Sequence, residues 1–113
     1  QVVTLAQYSY LAGVHGIACT PLELPLLTDS KWMQDALLAA APIRPSGARR
    51  IGDDPHRTDT PAYAIEHGAD MLVVDASSAC SPQPIKATRR IVDEIEAALD
   101  ARRASLTTAE AYA

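Results

Sequence analysis

Phenylalanine is absent from this 113-residue chain, and aromatic residues of every kind make up 4% of it. A core built from such a sequence must rest on Leu, Ile, Val and Ala, and the apolar content of 48% is ample for one. That content argues against intrinsic disorder and for a single domain or a piece of one. Lysine is scarce, with Lys31 and Lys86 the only two, and the formal net charge is −4. The pairs Arg49-Arg50, Arg89-Arg90 and Arg102-Arg103 are scattered, so the clustered basic face that nucleic acid would call for is missing. No run approaches the roughly 18 apolar residues that span a bilayer. Neither a membrane partner nor a secretory leader is expected. Cysteine is limited to Cys19 and Cys80, without the spacing of a tetrahedral zinc site. Cys19 reads as a small buried thiol at a strand end, and Cys80 as a loop residue with no activating His or Lys close by. The chain calls for no cofactor and no metal, and a reducing, cytoplasmic setting fits it best.

What is present is an alternation of helix and strand signals. Val3 to Leu11 suits a helix stopped by Gly13, and Val14 to Cys19 is a short apolar run punctuated by Gly16. Thr20 as cap and Pro21 at the first helical position open a second helix carrying Leu22, Leu24, Leu26 and Leu27. Ser30 to Ala41 is ambiguous. Its propensity and a cap at Asp29 or Ser30 favour helix, yet a parallel barrel needs a strand just before Pro42-Ile43-Arg44-Pro45. The reading adopted is a helix followed by a strand over Ala36–Ala40. Pro42 to Asp59 then forms a long loop, a length that usually marks function or mobility in a compact domain.

Thr60 caps a third helix with Pro61 at its first position, and Gly68 closes it. Met71 to Val74 is a continuous apolar strand, the pattern of one buried on both faces. After a polar turn at Ser77 to Pro84, Ile85 to Arg103 gives the clearest helix. Ile85, Thr88, Ile91, Val92, Ile95, Ala98 and Leu99 fall on one face of it. The domain spans 1–103 and residues 104–113 form a flexible tail. This order predicts parallel strands joined by right-handed crossovers.

Two segments together resemble the orotidine 5′-monophosphate decarboxylase family. The first is Ala12-Gly13-Val14-His15-Gly16-Ile17-Ala18-Cys19-Thr20. The second runs from Pro42-Ile43-Arg44-Pro45-Ser46-Gly47 through Gly52-Asp53-Asp54 to Thr60-Pro61 and Gly68-Ala69-Asp70-Met71-Leu72-Val73-Val74. Ile-Arg-Pro with Gly-Asp-Asp is the more particular mark, since Gly-Ala-Asp before a strand is common to many phosphate-binding barrels. The resemblance implies a partial (β/α)8 barrel, about the last three βα units, from an enzyme that decarboxylates orotidine monophosphate to UMP. The family's catalytic Asp-x-Lys-x-x-Asp motif has no counterpart around Lys31 or Lys86. No catalytic residue is therefore assigned, and the chain is catalytically incomplete by itself.

The same resemblance implies that the substrate phosphate is gripped in this half. Arg44 matches the family's Arg of Ile-Arg-Pro, a fork-shaped donor suited to a phosphate dianion. Other positions depart from the pattern, with His56 in place of a Lys or Arg and Ala40-Ala41-Pro42 in place of Thr-Pro-Gly. Pro55 stands where the family has Gln, and Asp75-Ala76 replaces the Gly-Arg that follows the last strand. Asp75 places a carboxylate where a dianion would sit, and Ala76 removes a guanidinium. Two readings of Arg44 therefore stand side by side, a surviving phosphate contact and a loop residue paired with Asp53 or Asp54. His15, His56 and His67 read as surface or helix-end residues. At the level of function the alternatives are a barrel portion that binds orotidine or uridine monophosphate, and a diverged non-catalytic structural or assembly subunit. An isolated piece with three parallel strands has two open edges. The expected partner is thus a second copy of the chain or a complementary N-terminal half-barrel.

Overall fold

The structure, a computed structural model, describes residues 1–30, 35–45, 58–75 and 80–111, with side chains as far as residue 107. Among the described residues four α-helices and three strands alternate along the chain. Helix α1 (Val2–Leu11) ends where Gly13 turns the chain at φ +107°, a conformation open to glycine because it has no Cβ. Strand β1 (Gly16–Cys19) follows. Thr20 then starts a 3₁₀ turn (Pro21–Glu23) that runs into α2 (Leu24–Thr28). The Glu23 carboxylate accepts the Thr20 N–H at 3.1 Å, which is one half of a capping box.

Strand β2 (Leu37–Ile43) confirms the strand reading of the ambiguous segment, while its helical half falls on residues 31–34, outside the described residues. The strand continues through Pro42, so the loop begins at Arg44 and not at Pro42 as the sequence suggested. The reason lies in the ladder. Ala40 pairs with Leu72 and Ile43 with Val74, so three steps on β2 oppose two on its neighbour. Proline has no N–H to give, and the break in pairing is where a strand tolerates it.

Helix α3 (Pro61–Glu66) starts at Thr60, whose Oγ1 accepts the Tyr63 N–H at 3.3 Å. Gly68, at φ +95°, closes it. Strand β3 (Met71–Val74) and helix α4 (Pro84–Ala111) complete the order. The last helix runs on past Arg103 because Ala104 to Ala111 contains no Gly or Pro to stop it.

The sheet is parallel throughout, in the order β1-β2-β3. One face is covered. Leu38 and Ala40 of β2 are buried there with Cys19, Leu24, Leu27, Ala64 and Ala69. The other face is open, with Leu37 51%, Met71 58% and Val73 50% exposed. Strand β3 is thus not buried on both faces as its apolar run predicted, because among the described residues helices cover one face of the sheet and leave the other open. The apolar stripe of α4 is also only partly used. Ile91 is buried on a helix that packs against α3, whereas Ile85 and Val92 are exposed. Helices on one face of an open parallel sheet are the arrangement of a barrel segment, whose second face would line the barrel interior.

Candidate functional site at the carboxyl edge of the sheet

In a parallel sheet every strand delivers its next residue to the same edge, and ligands of α/β proteins bind outside that edge. Here the residues delivered are Thr20 after β1, Arg44 and Pro45 after β2, and Asp75 after β3. Asp75 is fixed beside β2 by its N–H, which donates to the Ile43 carbonyl at 2.8 Å. It lies in phase with Met71 and Val73, the residues of the open face.

Arg44 is the buried charged residue of the described chain, 8% exposed. Its Nε donates to Asp59 Oδ2 at 2.6 Å, and its backbone N–H donates to the Asp59 carbonyl at 2.8 Å. The pairing of Arg44 with an aspartate was legible. The expected partners Asp53 and Asp54 lie outside the described residues, as do Pro55, His56 and Ala76, and a partner among the described residues is Asp59. Its position immediately before the Thr60 cap was the available signal, since a capped helix start holds the preceding residue firmly.

The remaining candidates fall elsewhere. His15 precedes β1 and so lies at the opposite edge, where its carbonyl accepts the Leu37 N–H at 3.0 Å. His67 closes α3, with Nδ1 2.9 Å from the Tyr63 carbonyl and its ring stacked on Tyr63 at 4.0 Å. Both are structural placements. Cys19 sits buried at the end of β1, and burial, with the Glu23 carboxylate behind it, pushes its thiol up. Such a thiol is a poor nucleophile at neutral pH. Among the described residues no group of three His, Cys, Asp or Glu side chains is placed to hold a metal, and no helix is long and apolar enough to cross a membrane.

An open parallel sheet, helices on one face and charged residues at its carboxyl edge define a segment of the β/α-barrel class. No protein-family model matches the chain. Among curated proteins it is 38% identical over 96 residues to the orotidine 5′-phosphate decarboxylase of Geotalea uraniireducens, covering 85% of this chain and 39% of that protein. The same coverage holds at 40% identity for the protein of that name from Geobacter sp. strain M21. The one from Maridesulfovibrio salexigens is 35% identical over 94 residues, 83% of this chain and 39% of its own. Over the matched residues the chain is similar to part of the orotidine 5′-phosphate decarboxylases, and it spans 39% of the length of these curated relatives.

Proposed function

We propose that this chain forms the carboxyl-edge segment of an orotidine 5′-phosphate decarboxylase-like barrel, in which Arg44 contacts the substrate phosphate. The observation that carries this reading is a guanidinium held almost out of water at the carboxyl end of β2. Charge-assisted, planar donors in a water-poor site suit a phosphate. Decarboxylation to UMP would need a proton donor at the carbon that loses CO2. Neither Lys31 nor Lys86 lies in the family's Asp-x-Lys-x-x-Asp motif, so that step belongs to the portion of the barrel that the relatives have beyond the matched residues.

A second reading, a non-catalytic structural or assembly subunit, is favoured by Asp75, which is held next to β2 at the same edge. Two like charges about 4 Å apart repel by about 4 kcal/mol at an effective dielectric near 20, which would oppose a dianion. The open apolar face of the sheet fits completion by the rest of a barrel under either reading. Free thiols at Cys19 and Cys80 fit a reducing compartment such as the cytoplasm.

Calorimetric titration of UMP separates the two. The chain alone and the chain joined to an N-terminal barrel portion bearing the Lys motif are compared. Binding by the joined protein, weakened at least tenfold in its Arg44→Ala variant, is the expected result. No binding in either form would leave the assembly reading.

A further inference from the structure

We infer that Asp59 is a positioning residue, which sets the plane of the Arg44 guanidinium for a phosphate ligand at the carboxyl edge. The inference rests on the proposed role of Arg44 and extends it to a residue that the family pattern did not single out.

The contact has two points. Asp59 accepts the Arg44 backbone N–H through its own carbonyl at 2.8 Å, and Arg44 Nε through Oδ2 at 2.6 Å. The first ties the two backbones, and the second ties the side chain. A guanidinium is flat, with five N–H donors in one rigid plane. A bond at Nε therefore orients the entire group.

Asp59 is itself well anchored. The next residue, Thr60, caps α3 through Oγ1 to the Tyr63 N–H, and its carbonyl accepts the Ala64 N–H at 3.2 Å. Ala64 is fully buried in the core. The carboxylate is thus referred to the core through α3, while Arg44 is referred to it through β2. Both side chains are largely shielded, 10% exposed for Arg44 and 18% for Asp59. Shielding and double anchoring distinguish this pair from an exposed ion pair, which holds no fixed geometry.

A carboxylate beside an arginine has two opposite effects on an anion. It removes cationic charge from the site, and it removes the entropy that a long side chain would lose on binding. The main-chain bond, independent of charge, favours the second role, since it fixes where Arg44 starts.

The test uses the joined barrel and two probes, UMP and uridine, the latter lacking the phosphate. Asp59→Asn keeps the shape and the main-chain bond, and Asp59→Glu restores the carboxylate. Asp59→Asn is expected to weaken UMP about tenfold with uridine unchanged, and Asp59→Glu to recover part of the loss. In Arg44→Ala the further change Asp59→Asn should cost nothing more, as for residues that act through one another. If Arg44→Ala itself leaves UMP binding intact, the phosphate role of Arg44 falls and this inference with it. If Arg44→Ala weakens UMP while Asp59→Asn is neutral or tightens it, only the positioning role is overturned. Equal weakening of UMP and uridine by Asp59→Asn overturns it too, because that is a structural effect.

Discussion

At the amino end of β2 the Leu38 N–H lies 2.9 Å from an Asp70 carboxylate oxygen, and the Asp70 N–H returns a bond of 2.8 Å to the Leu38 carbonyl. This reciprocal pair starts the β2–β3 register before the first ladder residues meet. Asp70→Ala leaves a strand amide without its acceptor, and such a loss costs about 1–3 kcal/mol. The urea midpoint should fall accordingly, with the slope of the transition unchanged. Gly-Ala-Asp was legible as a mark of ancestry, but this use of the aspartate was not. An acceptor 32 residues from its donor leaves no local pattern. That Asp59 would meet Arg44 was hidden for the same reason, since the two lie 15 residues apart across the loop. Cys19 was readable as a buried thiol, and its raised pKa yields a second prediction. The folded state holds that proton more tightly than the unfolded chain, whose thiol titrates near about 8.5. Its stabilising contribution is complete below that range and is lost as pH rises through the raised folded value. Unfolding free energy measured across the alkaline range should decline with pH, and Cys19→Ala should flatten that decline.

Elements were readable where a local device started or stopped them. The Thr60-Pro61 start and the Gly68 stop of α3, and the Thr20-Pro21 turn before α2, are such devices, and the chain uses all of them. Strand β2 was harder, because Leu37 to Ala41 favours helix in isolation and only pairing with β1 and β3 makes it extended. The passage of β2 through Pro42 depends on a bulge, which is a property of two strands and not of one. Gly68 also has a second duty that its turn signal did not reveal. A Cβ placed there would lie 2.7 Å from Thr28 Cγ2, so the α3 stop packs against the end of α2. Gly68→Ala therefore meets both a positive φ and a methyl group, and is expected to cost about 1–3 kcal/mol. Adding Thr28→Ser removes the methyl while keeping the hydroxyl that bonds the Leu24 carbonyl. Thermal unfolding should show part of the loss recovered in the pair. The remainder measures the backbone conformation alone.

A closed domain of this length has a radius of gyration of about 13 Å, whereas the chain measures 15.5 Å over extents of 43 × 38 × 24 Å. Two features account for the excess. Helix α4 has 28 residues, which at about 1.5 Å each is nearly the longest dimension of the molecule. The sheet has one uncovered face, with Leu37, Met71 and Val73 each at least half exposed. The parallel strands were legible from the alternation of helix and strand signals. The exposure was not, because a continuous apolar run such as Met71 to Val74 says that a strand is meant to be covered and not what covers it. In a closed barrel that face would pack against the strands across the interior. Expressed by itself, the chain presents the same face to water, along with the unpaired edges of β1 and β3, and contiguous exposed apolar surface drives association. Sedimentation velocity on the isolated chain should show a mass above the monomer that rises with concentration. Met71→Lys with Val73→Lys puts two charges on that face without touching the buried Leu38 or Ala40, and should shift the distribution towards the monomer. Supplying the N-terminal barrel portion should have the same effect on the unmodified chain, because it covers the face instead of charging it. If the lysine variants associate as before, the contact is made by α4 or the strand edges, and the open face is not what holds the copies together.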